Sequence, residues 1–462
     1  MATEKNSYTL RRFILDIHLW LGVGSGLILF LVCLSGTLYT FRTEIIQTIE
    51  AEAYHVDVPA TGQPLAAAAL INRLEQTYPA SSVVSLAIPE NPQRAWTLTL
   101  TTRQALARQL AEEKAEQAAG DKPSGESRKG KGGKEGRGGK EGRGGKGGPH
   151  GNQDSQTLLV NPYTAAVQGN VDTDLAKFFG KVMGLHRWLL IEGGVGQLLV
   201  GAATLIFVVL QLTGLALWVP AKLKQWRKWK MWRPGFVIKT NGSRKRLTHD
   251  LHNTLGFYAL GLLSIMSLTG LCWSFEWYRD GLSNLLGAKV FGGRGEKPLP
   301  SAVPAALNRT LSADDYLALA NQRLSYPGDV RLTLPKGPKG SVGVQKTKTG
   351  FFALAAADRL TLDQYSGAVL KADIFADKPL NQQVTSLIKP LHTGEVAGTF
   401  SKILYFLACL IATSLPITGV LIWLNKRQKS RRPERPSTEA PTTSRRPVSR
   451  PAAVATDATR SV

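Results

Sequence analysis

Four stretches of the chain, 13–41, 190–219, 252–276 and 400–424, carry almost no charge and are apolar nearly throughout. Each exceeds the roughly 20 residues that a helix needs to cross a hydrocarbon core of about 30 Å. The pattern predicts four membrane-spanning helices. The first is too long for a signal-peptide core, and no small-residue cleavage site follows it.

Between the first and second stretches, and again between the third and fourth, the period changes. "LAAAALINRLEQTYP" has helical spacing and precedes the β-type runs "SSVVSLAI" and "AWTLTLTT". "SADDYLALANQRLSYP" likewise precedes "DVRLTLP" and "GSVGVQK". The stretches "TLLVNPYTAAVQGNV" and "RLTLDQYSGAVLKAD" close the two segments as hairpins. Helix followed by strands predicts two small α+β domains, one per segment. The first is interrupted at 112–153 by low-complexity sequence that includes "KEGRGGKEGRGGK", which cannot support a packed core and is expected to be disordered.

Charge fixes the expected orientation. The formal net charge is +23, and it sits mainly in three places. The N-tail 1–12 is basic, segment 220–248 has ten Lys/Arg and no acid, and 425–462 has ten basic residues against three acidic. Four crossings put these three on one side, so the positive-inside rule places both termini and the 220–248 loop in the cytoplasm. Topology explains the basic balance, and nucleic acid is not an expected partner. Cys33, Cys272 and Cys409 all fall within expected spans, so they form no disulfide framework outside the membrane.

The chain also repeats itself. "DIHLWLGVGSGLILFLVCLSGTLYTF" (16–41) aligns without a gap to "DLHNTLGFYALGLLSIMSLTGLCWSF" (250–275). His18 matches His252, Ser35-Gly36 matches Thr269-Gly270, and the step from His to Gly is 18 residues in both. The other two spans repeat less cleanly: "GLHRWLL" brings His186 and "PLHTGEVAG" brings His392, followed by Thr213-Gly214 and Thr418-Gly419. The unit is helix, outside domain, helix, and the two copies start on the same side, as parallel repeats do.

These features resemble the PepSY-associated transmembrane family, whose members include inner-membrane ferric-siderophore reductases. The resemblance rests on His18, His252, "LHRWLL", "DLHNTLG", "LHTGEVAG", the four Ser/Thr-Gly pairs and the hairpins "NPYTAAV" and "DQYSGAV". It covers nearly the whole chain except 112–153 and the C-terminal tail. The expected fold is a membrane all-α four-helix bundle from a duplicated two-helix unit, with two small α+β, PepSY-like extracytoplasmic domains. The expected division is a cytoplasmic N-tail 1–12, helix 13–42, periplasmic domain 43–185, helix 186–219, basic loop 220–248, helix 249–278, periplasmic domain 279–391, helix 392–424 and a basic disordered tail 425–462. The setting is the bacterial inner membrane, crossed several times.

Four of the seven histidines stand at helix ends in matched pairs: His18 with His252, and His186 with His392. Two neutral imidazoles facing each other in an apolar bundle suit axial ligation of haem iron, and bundle cores hold cofactors between facing helices. Two haem b groups, one toward each face, are expected, held by His18, His252, His186 and His392. Asp16 and Asp250 are candidates to orient the inner imidazoles or to pair with the basic termini, and Arg11, Arg12, Arg244, Lys245 and Arg246 to hold propionates. A bare zinc or iron site is the rival, but no carboxylate or cysteine sits at ligand spacing. His249 could replace His252 but has no histidine counterpart in the first copy; His55 and His150 have no partner.

The resemblance implies a reductase that passes electrons across the membrane to a ferric siderophore, whose weaker ferrous complex releases iron. A quinol or a separate cytoplasmic reductase is the expected donor, because the inside segments lack a phosphate-binding Gly-rich turn on a βα unit. Glu44, Glu192, Glu276, Arg187 and Glu395 lie near the outer ends as substrate-side candidates or interfacial anchors. Counted along straight helices at about 1.5 Å per residue, the inner and outer histidines stand roughly 30 Å apart. A break at Gly193-Gly194, and another in "HTGEVAG", is expected to fold the outer ones back. Two other classes stay open: a non-redox protein that binds or regulates periplasmic partners, and a haem or metal transporter.

Overall fold

The computed structural model describes residues 9–60, 62–120, 154–292, 299–304 and 311–430. Among these, four helices are long and apolar enough to cross a membrane: Leu10–Thr40, Val195–Trp218, Arg244–Ser274 and Gly398–Arg427. The chain is a multi-pass membrane protein. Its bundle is built from α1 (Leu10–Thr40), α2 (Asp174–Trp188), α3 (Val195–Trp218), α4 (Gly256–Ser274), α5 (Leu380–Thr393) and α6 (Gly398–Ser430). α1 packs on α3 and α6, and α4 packs on the same two from the opposite side. Thus α1 and α4 face each other across the bundle.

The expected second and fourth helices are each two helices. Leu189 and Leu190 end α2 in the left-handed region, and Gly193 and Gly194 take φ of 81° and 86° before α3 begins. Gly394 (φ 80°) and Gly398 (φ 61°) make the matching break between α5 and α6. His186 and His392 therefore stand near the C-terminal ends of α2 and α5, not at the start of the spans. Two expected boundaries move as well. The helix Arg103–Gly120 enters the segment read as disordered, because "AEEKAEQAA" is rich in good helix formers. α6 continues to Ser430, past the residue 425 at which a disordered tail was expected. Residues 121–153 and 431–462 lie outside the described residues.

The strands are β1 (Ser81–Ile88), β2 (Trp96–Thr102), β3 (Ser155–Val160), β4 (Val167–Asn170), β5 (Gly328–Thr333), β6 (Ser341–Lys348), β7 (Ala357–Asp363) and β8 (Val369–Asp373). They form one antiparallel sheet in the order β4-β3-β2-β1-β5-β6-β7-β8. The two expected small domains are thus a single body. At the seam Leu86 pairs with Leu332 and Ile88 with Val330. Left apart, each half would present an unpaired central edge carrying a leucine that is here fully buried. Burying such a side chain is worth about 2 kcal/mol, and joining the edges also satisfies their amides. The edges that remain, β4 and β8, have only four and five residues.

The helices Ala67–Thr77 and Ala313–Arg323 bring apolar side chains from both halves into one core with the sheet. Asp314 ties the halves further. Its carboxylate accepts hydrogen bonds from the Ala67 and Ala68 amides at 2.7 and 3.0 Å, capping a helix that has no side-chain cap of its own.

Candidate functional site

Each of the four matched histidines rests on one Ser/Thr-Gly pair. His18 Nδ1 lies 2.9 Å from Thr213 Oγ1 and His252 Nδ1 lies 2.9 Å from Thr418 Oγ1. Both hydroxyls already donate to a carbonyl one turn earlier, Val209 and Ser414. The threonine oxygen therefore accepts, and Nδ1 carries the proton. His186 Nδ1 donates to Val32 O at 2.9 Å and His392 Nδ1 to Met266 O at 3.0 Å, where a carbonyl can only accept. Ser35 and Thr269 hydroxyls flank these bonds at 3.5 and 3.2 Å. All four neutral rings thus have a protonated Nδ1 and an unprotonated Nε2. No Nε2 among the four makes a hydrogen bond to the described residues.

The glycine of each pair lets the ring approach. A Cβ built at Gly36, Gly214, Gly270 or Gly419 would stand 3.2, 3.3, 3.0 or 3.5 Å from Cε1 of its histidine. The seats lie within one half of the chain, and the histidines then meet across the halves. The His18 and His252 ring centroids are 6.3 Å apart at 88°. Those of His186 and His392 are 6.2 Å apart at 56°. The expected pairing is therefore the observed one.

Fourteen residues separate His18 from Val32 on α1, and fourteen separate His252 from Met266. At 1.5 Å per residue that is about 21 Å of helix between the two pairs. The breaks before α3 and α6 make this possible, because they fold His186 and His392 back along α1 and α4. The separation is shorter than straight helices would give.

The His18/His252 pair opens on a cavity of about 790 Å³. It runs from Arg12 and Lys426 at the basic end of the bundle past both rings to Leu29 and Leu263 in the middle. Its size is that of cofactor pockets, and its walls include Gly22, Gly26 and Gly256. Buried Gln211 closes its inner part, donating to Ser267 Oγ at 3.2 Å and accepting from Ser264 Oγ at 2.7 Å. At the sheet end, the Trp273 ring lies 5.0 Å from His392.

Other expected residues take different places. Asp250 is buried and does not touch His252; it accepts from Arg246 at 2.8 Å and from the Lys239 amide at 3.3 Å, pinning the basic loop. The groups that orient the imidazoles are the threonines and carbonyls above. Arg11 donates to the Val219 and Leu217 carbonyls, caps α3 and lines the cavity, as Arg12 does, while Arg246 is held by Asp250 and Arg244 and Lys245 are not among the lining residues. Glu44 pairs with buried Lys402 at 2.6 Å, Glu276 with Arg279 at 3.8 Å, and Glu395 accepts from Thr393 at 3.1 Å. Arg187 lies over the Trp188 ring, and Glu192 is exposed in the turn before α3. His249 lines the cavity beside Asp250, at 3.6 Å.

One local feature has no trace in the gapless alignment. His252 sits in a π-helical turn, Leu251–Leu255, whereas His18 sits in regular α-helix. Such turns widen a helix by one residue and occur often at functional sites.

The family model for the PepSY-associated TM region matches residues 15–426. The chain belongs to that family. No curated protein matches it. The matched span contains all four histidines and their seats, so the paired imidazoles lie inside what defines this PepSY-associated membrane protein.

Proposed function

We propose that the protein is a two-haem transmembrane reductase built from two copies of one helix–domain–helix unit, delivering electrons to a ferric siderophore on the sheet side. The basic end faces the cytoplasm of a bacterial inner membrane by the positive-inside rule, and the fused sheet stands in the periplasm. The observation that carries this reading is the ring separation. Two imidazoles that bond one metal through Nε2 from opposite sides, at about 2.0–2.1 Å per bond, have ring centroids about 6–6.5 Å apart. The two pairs stand at 6.3 and 6.2 Å.

The donor set points to haem rather than a bare ion. Each pair offers two nitrogens, and among the described residues no group of three or more His, Cys, Asp or Glu side chains gathers to complete a protein-only shell. A macrocycle brings the remaining ligands itself. Bound haem b supplies a one-electron carrier at each end of the bundle. The residues of the chain do the rest. Thr213, Thr418 and the carbonyls of Val32 and Met266 fix the Nδ1–H tautomer, aim Nε2 and raise its basicity. Glycines at the seats and along the cavity make room for a flat ring. Leu29, Leu260 and Leu263 keep water from the inner part of the cavity.

The test is spectroscopic. Purified protein should be red, with a reduced-minus-oxidised b-type spectrum. His18→Ala or His252→Ala should each remove about half of the haem, and His186→Ala or His392→Ala the other half. Ferric siderophores added to dithionite-reduced protein should restore the oxidised spectrum in stopped flow. A folded, colourless protein would sink the haem reading. A stable b-type spectrum that no ferric chelate reoxidises would instead favour a transporter or another acceptor.

A further inference from the structure

We propose that the aromatic box formed by the 220–248 loop against α3 and α4 binds the ring of a membrane-soluble quinol, the class of electron donor that the reductase reading requires. The proposal takes its purpose from that reading, while its geometry stands independently. Trp218, Trp226, Trp229, Trp232, Phe236, Phe257 and Arg227 line an open-sided hollow of about 450 Å³. Trp218 and Phe257 stack in parallel, 3.8 Å apart at 5°. These same two rings also line the His18/His252 cavity. A planar ligand in the box therefore lies one aromatic layer from the inner histidine pair.

An ordinary interfacial belt would turn its indole N–H groups toward lipid headgroups and water. Here three of them hold the loop together. Trp218 donates to Gly235 O at 3.2 Å, Trp226 to Pro220 O at 2.9 Å and Trp232 to Trp226 O at 2.9 Å. The rings are thus pre-set around one space, as in preformed ligand sites.

Charge and position select the ligand. Aromatic cages often take cations, but 220–248 has ten Lys/Arg and no acid, which disfavours a cation. A neutral ring whose oxygens accept from Arg227 fits both the walls and the field. Trp218 ends α3 and stacks on Phe257, which lies inside the Arg244–Ser274 span, so the box borders the membrane, where a lipid-soluble molecule arrives without leaving the bilayer. Exposed Leu223, Met231 and Val237 nearby give its apolar tail a surface.

The experiment titrates full-length protein in phosphatidylcholine nanodiscs with decylubiquinone, read by calorimetry and by quenching of tryptophan emission. Saturable binding of one molecule per chain is expected. Trp229→Ala and Arg227→Gln, neither of which holds the loop by a side-chain hydrogen bond seen here, should each weaken it about tenfold or more while haem content stays unchanged. Absence of saturable binding, or binding that neither substitution alters, would overturn the assignment. Colourless protein that still binds the quinone supports the seat and removes the two-haem reading; red protein that ignores it does the reverse.

Discussion

The two histidine pairs use the same Ser/Thr-Gly signature in different ways. At the basic end His18 and His252 make their short contact to the threonine hydroxyl, with the Leu210 and Leu415 carbonyls as the second partner. At the sheet end His186 and His392 press closer to the helix and reach the carbonyl four residues before the glycine, Val32 for Gly36 and Met266 for Gly270. The glycine clearances differ in the second half and are nearly equal in the first. A Cβ would stand 3.2 Å from the ring at Gly36 against 3.3 Å at Gly214, and 3.0 Å at Gly270 against 3.5 Å at Gly419. A shared motif therefore fixes where a ring sits, while a few tenths of an ångström decide which atom holds it. The sheet-end seats bond a backbone carbonyl closely, which no side-chain change removes; the basic-end seats lean first on a hydroxyl, with the Leu210 and Leu415 carbonyls as a second partner.

The sharpest way to break the comparison is to fill the glycines. Gly270→Ala should push His392 off Met266 O, since 3.0 Å is tighter than nearly all Cβ contacts and both groups sit in packed helices. Gly419→Ala, at 3.5 Å, makes ordinary contact with His252 and should leave the basic end intact. The expected result is a loss of haem at the sheet end of about tenfold or more in affinity for the first variant and little change for the second. Pyridine haemochrome content and redox titration of each variant measure this. Equal losses in both would show that ring approach does not control the sites.

Removing the hydroxyls probes the opposite end with a smaller effect. Thr213→Val or Thr418→Val keeps the side-chain shape but removes the closest acceptor of the histidine Nδ1–H, leaving only the Leu210 or Leu415 carbonyl, and loss of such an outer-shell partner lowers metal affinity about 10- to 100-fold. The lower part of that range is expected, because each ring keeps its glycine and its packing. Ser35→Ala should do almost nothing, since Val32 O already accepts from His186 and the Ser35 hydroxyl is 3.5 Å away. Haem retention during dilution, compared across the three variants, reads the difference. A Ser35→Ala loss as large as that of Thr213→Val would remove the distinction between the two kinds of seat.

Much of this was legible in the sequence, and the missing parts have physical reasons. Uncharged runs of about 20 residues mark a span because no other segment tolerates lipid, and β-type runs such as "SSVVSLAI" marked β1 to the residue. The histidine pairing followed from matched positions in the repeat. The seats did not. Thr213-Gly214 was visible only as a repeat marker, because contact with a ring 195 residues away is a tertiary fact. The sheet fusion was hidden for a similar reason. The composition of β1 says that it is a strand, but not that Leu86 faces Leu332 from the other half. The π turn at His252 also escaped, since "DIHLWLG" and "DLHNTLG" align without a gap; the second follows a loop pinned by Asp250 to Arg246 and Lys239, a constraint outside the motif.

The hairpins that close the two halves give the finest comparison and the smallest expected effect. In each, an acceptor side chain gathers the turn: Asn161 Oδ1 accepts from the Tyr163 and Thr164 amides, and Asp363 Oδ1 from the Tyr365 and Ser366 amides. The fifth residue is left-handed in both, at φ 59° for Ala165 and 72° for Gly367. Alanine in that region meets a clash between its Cβ and the next carbonyl of about 1–2 kcal/mol, partly offset by its smaller loss of chain entropy. Ala165→Gly should therefore stabilise the first hairpin by about 0.5–1 kcal/mol. Gly367→Ala should destabilise the second by more, because the added Cβ would also stand 2.5 Å from Leu319 Cδ1 in the shared core. Amide exchange at Asn161 and Asp363, whose N–H groups donate to the Ala166 and Ala368 carbonyls and close the turns, should slow in the first variant and speed up in the second. Unchanged exchange in Ala165→Gly would mean that the turn carries no strain for glycine to relieve.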